Sequence, residues 1–442
     1  MTRRVATLFL LLLFGAFVRA EEQLLTPRQL REDVDTAEGA LREKHPALFR
    51  YTTERELARG FRELRTSLDT PMTALAFHRR LAPVVASLRC GHTRLIPAPH
   101  AGGTFFPLPV YFAGSTMYVD AAPGPERKLF EVVTFNGSPV RATIDRLNAQ
   151  FALDGDAGEG KYRFLENFAP AYARGIDEAP VDFVLELRDG GRLAPMRVAA
   201  ISRDALTAMQ QRKALVFGTG SLVPIESAFD GETAVLTIRN FNEQRYRQRD
   251  LDFPTYVADF FRQANERKVK TLIIDLRHNG GGRDHYGALL FAHLTGKPFT
   301  YFRSVVKKAA DGALVPVEHD LLQPQMPASP RFRGRTIVLV SGLTFSTAAD
   351  FTAMFRHHRR GTILGEETGG GYDGNNSGES EEVVLPHSRL TLDIPLWRYE
   401  NAVEPRGSRR GVLPDIEVRP SARDLERGID RVMLAALRIA RE

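Results

Sequence analysis

Two runs of unbroken apolar character, Thr271-Leu-Ile-Ile-Asp-Leu276 and Thr336-Ile-Val-Leu-Val340, constrain this chain more than anything else in it. A strand with one face in water alternates apolar and polar residues, whereas a run apolar at nearly every position is buried on both faces. Helical patterns flank these runs: Tyr256 to Ala264 precedes the first and Thr347 to His357 follows the second. Ala234-Val-Leu-Thr-Ile238 and Thr362-Ile-Leu364 read as further strands. Strands alternating with helices predict an α/β domain on a mostly parallel sheet. Such sheets carry their sites in the loops at the C-terminal ends of the strands.

At 442 residues the chain is long for one core, and its pattern changes twice. From Thr26-Pro27, a helix start with proline in the first turn, to Leu88, apolar residues recur at helical spacing. From Phe105 to about Ser202 the pattern is one of short strands. Val110–Phe112 and Met117–Val119 flank Gly114-Ser115, a helix is expected over Thr143–Phe151, and Val181–Leu187 and Met196–Ile201 flank an Asp189-Gly190-Gly191 turn. The run Phe130 to Val140, a strand, an Asn-Gly turn and Pro-Val before a helix, resembles a PDZ domain, from which the segment Asp154 to Pro180 departs as an insertion. The expected order is a leader over 1–20, a helical region over 21–103, a PDZ-like region over 104–204 and the α/β domain over 205–442.

Arg3-Arg4, the apolar run Val5 to Phe17, and Val18-Arg19-Ala20 before Glu21-Glu22 have the layout of a cleavable secretory leader. The run is short for a membrane span. The expectation is therefore a periplasmic or secreted protein with no stable membrane insertion. Without that leader the charge is nearly balanced, 57 basic against 54 acidic residues, with no basic stripe of the kind that binds nucleic acid. Cys90 is the only cysteine, so no internal disulfide forms, and its expected role is a small buried residue at a helix end.

Three loops follow predicted strands. Asp275-Leu-Arg-His-Asn279-Gly280-Gly281-Gly282 can turn backbone N–H groups toward a ligand. Ser341-Gly-Leu-Thr-Phe-Ser346-Thr347 enters a helix, where Ser346 is either a helix cap or an exposed nucleophile. Gly365-Glu-Glu-Thr-Gly-Gly-Gly-Tyr-Asp-Gly374 contains a Gly-x-Gly-x-x-Gly spacing from Gly369, but no helix follows to bind a dinucleotide. No metal-ligand spacing occurs, and no metal or cofactor is expected.

Asp-Leu-Arg-x-Asn-Gly-Gly-Gly, then Val-Ser…Ser-Thr-Ala-Ala-Asp, then Gly-Glu-x-Thr-Gly, then Gly411-Val-Leu-Pro-Asp415 resembles, in that order, the tail-specific (C-terminal processing) serine peptidases. The resemblance covers about Thr233 to Val418. It implies a ClpP/crotonase-like α/β fold, Ser346 as nucleophile, and an oxyanion hole from the N–H of Thr347 and one from the Gly280-Gly281 turn. The substrate it implies is a peptide or unfolded protein. Gly371 stands where that family's bacterial branch carries a catalytic lysine. The tricorn-like branch uses an upstream histidine instead, and Cys90-Gly91-His92-Thr93 resembles its Gly-His-Thr segment. Its acid precedes the Gly-Val-x-Pro-Asp run, where Glu400 and Glu404 stand here. His278, His285, His358 and His387 are rival bases. A non-catalytic binding protein on the same fold, or a hydrolase of non-peptide esters or amides, are the alternatives.

Overall fold

The computed structural model describes residues 23–97, 103–121, 127–177, 179–216, 223–407 and 409–442. The leader expected over 1–20 lies outside the described residues. Among those described, no helix is long and apolar enough to cross a membrane.

Thr271–Asp275, buried at every residue, lies inside a six-stranded sheet. It pairs in parallel with Thr233–Ile238 on one side and Arg335–Val340 on the other. Thr362–Gly365 and Ile416–Glu417 extend the parallel run, and Ile225–Asp230 closes the opposite edge antiparallel. Leu272, Ile274 and Val338 pack with Phe260, Phe261, Phe291 and Phe355 from the helices on one face. Ile273, Ile337 and Leu339 face Val432 and Ala436 of the C-terminal helix Arg431–Arg441 on the other. Alternate residues of one strand therefore feed two cores, which is why the run cannot alternate with polar residues. Each such Leu or Ile buried contributes about 1.5–3 kcal/mol. This is the mixed α/β fold the apolar runs predict.

The N-terminal region forms three helices, Pro27–Lys44, Glu54–Ser67 and Ala74–Ala86. Thr26 with Gln29, and Thr53 with Glu56, form reciprocal capping boxes that satisfy the first free N–H groups. These helices do not close a core by themselves. Leu30, Leu41, Phe77 and Leu81 pack on Leu385, Leu390, Leu392 and Ile394. Those four residues surround or belong to the strand Thr391–Asn401, the middle of a five-stranded antiparallel sheet with Arg94–Ile96, Asn376–Val384, Phe302–Lys308 and Leu314–Pro316. No local pattern in the sequence marks this sheet. Its effect is to bring the chain around residue 92 beside the C-terminal half, by pairing Arg94 with Asp393.

Residues 105–201 build a second six-stranded sheet, antiparallel throughout, around Phe106, Phe112, Phe135, Phe168 and Phe183. Asp189 pairs with Arg192 across the Gly190-Gly191 turn. The helix expected over Thr143–Phe151 spans Val140–Asn148. The segment beginning at Asp154 forms the short helices Lys161–Leu165 and Phe168–Gly175, and it reaches the loops of the parallel sheet.

Candidate active site

The three glycine-containing loops converge at the C-terminal ends of the parallel strands, and Asn279 is the knot between two of them. Its side-chain N–H₂ donates to Ile238 O at 3.1 Å, its Oδ1 accepts from Gly281 N at 2.9 Å, and its backbone O accepts from Phe345 N at 3.0 Å. Thr344 Oγ1 donates to Leu276 O at 2.8 Å, and Thr347 Oγ1 donates to Gly282 O at 2.8 Å. Phe345-Ser346 is thereby fixed against the glycine turn. Gly281, at φ 96°, lies so close that a Cβ there would sit 2.6 Å from Ser346 Cβ. Gly370 backs the same residue from the third loop, where a Cβ would lie 3.0 Å from Ser346 N.

Ser346 occupies the N-cap position of Thr347–His357 yet does not cap it. A capping serine has extended backbone and accepts an N–H on its hydroxyl. Ser346 has φ 53° and ψ −132°, and its side chain makes no capping hydrogen bond. Only its carbonyl serves the helix, accepting from Ala349 N at 2.8 Å and Asp350 N at 3.0 Å. Strain of this kind costs about 1–3 kcal/mol and persists only where surrounding contacts enforce it. The result is a partly exposed hydroxyl at a helix N-terminus, with no partner among the described residues.

Of the proposed oxyanion donors, Thr347 N has no acceptor among the described residues, as expected of a first-turn N–H. Gly280 is exposed, and its N–H is likewise uncommitted. Gly281 differs from the expectation, because its N–H is spent on Asn279 Oδ1. Within the Gly280-Gly281 turn only Gly280 keeps an available donor.

His92 lies next to this group. Its ring stacks on Phe345, centroids 4.6 Å apart, and a Cβ on the preceding Gly91 would lie 2.5 Å from the Phe345 ring. No hydrogen bond joins the imidazole to Ser346 among the described residues, and His92 Nδ1 is buried without a partner. Burial pulls its pKa to about 4, with Arg94 pushing the same way and Asp393 opposing. The imidazole is therefore neutral at pH 7 and free to accept a proton.

The acids expected beside His92 are elsewhere. Glu400, paired in register with Ser304, is held by Arg303 at 3.4 Å and by Arg398. Glu404 is exposed, and its backbone N donates to His357 Nδ1 at 3.3 Å. The six described residues from Glu404 to Arg410 are all exposed. The acid whose charge reaches His92 is Asp393, absent from the sequence reading. Its Oδ2 accepts from Arg94 at 2.7 Å, and its Oδ1 is buried without a partner. Only the strand pairing places it there, and no local motif marks it.

The rival histidines have other partners. His285 bonds Asp284 at 3.2 Å, His387 bonds Glu32 at 2.8 Å, and His358 packs on Phe291. His278 lines a cleft of about 360 Å³ with Asp275, Val340, Ser341 and Glu366, at the strand ends. A larger cavity, about 580 Å³, lies between Arg42, Phe49 and Lys308 and is not lined by any of the three loops. Cys90 is buried, accepts from Asn376 at 3.7 Å, and has its thiol pKa pushed up by burial, which suits a packing residue and not a nucleophile. Among the described residues no cluster of three or more His, Cys, Asp or Glu is placed to hold a metal ion.

Residues 232–418 match peptidase family S41. That segment contains Gly280, Ser346 and Thr347 but not His92. A protein of Streptomyces coelicolor described as a tricorn protease homolog is 27% identical over 175 residues, which are 39% of this chain and 13% of that protein. The chain thus aligns with only a small part of that relative. The structure of mature CPAF is similar with a TM-score of 0.71, 16% identity, and coverage of 94% of this chain and 96% of that one. Its S499A mutant gives a TM-score of 0.66 at 15% identity. At that identity the likeness shows the shared fold.

Proposed function

We propose that this chain is a serine peptidase cleaving peptide bonds through an acyl-enzyme on Ser346, since residues 232–418 match peptidase family S41. The observation that carries the reading is Ser346 itself, strained and uncapped, beside the uncommitted N–H of Thr347. In this mechanism Ser346 Oγ attacks the carbonyl carbon while His92 takes the hydroxyl proton. The developing oxyanion is held by the N–H groups of Thr347 and Gly280, each worth several kcal/mol in a site closed to water. His92 then returns the proton to the leaving amine, and water repeats the sequence on the ester. A pKa of about 4 makes His92 a weak base, so the scheme needs a charge to raise it as the proton moves. Asp393 is the acid whose charge already opposes the fall of the His92 pKa, and in this scheme it stabilises the imidazolium once it forms.

Substrates are peptides or unfolded proteins, and the chain is exported, with its leader removed before Glu21. Ser346→Ala settles the chemistry: loss of peptide cleavage with an unchanged melting curve supports it, and cleavage at the wild-type rate sinks it. A second reading, a binding protein on the same scaffold, draws on the missing hydrogen bond between His92 and Ser346. A fluorophosphonate that never labels Ser346 favours that one.

A further inference from the structure

We propose that Asp154 is a positioning residue of this site, tying the loop that carries His92 to the loop that backs Ser346. The proposal rests on the acyl-transfer reading above. Asp154 begins the segment that departs from the PDZ pattern, and its carboxyl is buried at 1% exposure. Oδ1 accepts from Gly91 N at 3.0 Å, the residue before His92. Oδ2 accepts from Gly371 N at 3.4 Å, and the backbone N of Asp154 donates to Gly369 O at 3.1 Å. Gly369 and Gly370 in turn donate to Thr344 O at 3.0 and 3.3 Å, two residues before Ser346. One carboxylate thus spans from base to nucleophile loop through a single layer of backbone.

The turn is anchored on both sides. Gly155 N donates to Arg89 O at 2.8 Å, and the Asp156 carboxylate pairs with Arg89 at 2.6 Å and Arg409 at 3.1 Å. Gly155, at φ 64°, passes so close to the chain before Gly411 that a Cβ would lie 2.2 Å from Arg409 O.

Two N–H donors converging on one side chain call for two acceptor oxygens, which only a carboxylate supplies. An asparagine would turn its N–H₂ toward one of the two donors. The anion is costly at this depth: burial raises the Asp154 pKa to about 6, opposed by the two N–H groups and by Arg50. Tyr51, Cys90 and Asp350 are the other titratable groups that face it. Since its pKa is raised on folding, the native state prefers the protonated form, and stability from this group increases as pH falls through about 6 toward 3.8. Activity needs the opposite form. Stability and activity should therefore separate when the charge is removed, which a residue serving the fold alone would not do.

The test compares Asp154→Asn with wild type in fluorophosphonate labelling from pH 5 to 8, in thermal melting at pH 8, and in amide exchange of the peptides containing Gly91 and Gly371. Expected are labelling slower by about tenfold or more at pH 8, loss of the wild-type fall in rate near pH 6, melting at or above wild type, and faster exchange at both glycines. Wild-type labelling in the variant, or slower labelling with lowered melting and unchanged exchange, overturns the proposal. A wild-type protein that never labels refutes the acyl-enzyme reading instead. Faster exchange in both peptides would then still uphold the tie, and unchanged exchange would overturn it.

Discussion

Gly281→Ala and Gly280→Ala, one residue apart, should have opposite outcomes. At Gly280 a Cβ meets nothing within 4 Å, φ is not in the left-handed region, and the N–H remains. At Gly281 the new Cβ would lie 2.6 Å from Ser346 Cβ, 2.9 Å from Phe345 O and 3.1 Å from Ser346 Oγ. Ordinary contact begins at 3.4 Å, so the loop or the nucleophile must retreat by about 0.8 Å. The backbone at φ 96° adds a conformational penalty of about 1–3 kcal/mol. Asn279 holds both sides of the contact, so relief on one side strains its bonds to Gly281 N and Phe345 N. A displacement near 1 Å in a catalytic constellation costs about a hundredfold in rate. Fluorophosphonate labelling kinetics should therefore fall by about that factor in Gly281→Ala and stay within about twofold in Gly280→Ala. Urea denaturation should show a loss of about 1–3 kcal/mol in the former alone. Equal labelling rates in the two variants would refute the placement of Ser346 against this turn.

Three further outcomes follow from the same geometry. Ser346→Gly removes the penalty of a left-handed non-glycine residue and should raise stability by about 1 kcal/mol in urea titrations while abolishing labelling. Asp393→Asn should slow labelling, because the one charge that opposes the fall of the His92 pKa is gone, whereas Glu400→Gln and Glu404→Gln should label as wild type. His45 and His78, each 2% exposed, have pKa values pulled by burial to about 3 and about 4. The unfolded chain takes up those protons below pH 6.5 while the native chain refuses them, so stability from these two is complete above 6.5 and falls toward pH 4. Each accounts for about 2–3 kcal/mol between pH 7 and 4.5, and His78→Gln should flatten the urea-midpoint curve over that range.

The parallel sheet was legible because its signal is local. Thr271–Asp275 and Arg335–Val340 are buried on both faces, and a few consecutive residues announce it. Capping is local too, so Thr26-Pro27 located the first helix to the residue. The antiparallel sheet around Thr391–Asn401 was not legible. Arg94–Ile96 is three residues long with the burial pattern of an edge, and its partner lies some 300 residues away. Its register follows from the packing of Leu392 and Ile394 on three distant helices, which no window of sequence displays.

The candidate site divides along the same line. Ser346, Thr347 and Gly280 were legible as candidates because each sits in a loop whose pattern is local, and the backbone geometry of Ser346 removes the reading of it as a side-chain cap. Asn279 was part of the Asp-Leu-Arg-x-Asn-Gly-Gly-Gly motif, but two of its three bonds go to other segments, at Ile238 and Phe345, so its role was hidden. The acid shows why spacing fails as a guide. Glu400 and Glu404 stand before Gly411 at the expected end of the chain, but position along a strand decides which way a carboxylate points. Glu400 turns to Arg303 and Arg398, while Asp393, seven residues earlier, faces Arg94 on the strand that follows His92. His92, the proposed base, is brought in by one β-pairing, and the acid whose charge reaches it comes from that same pairing. Asp393 is the residue through which an error in that pairing would show first.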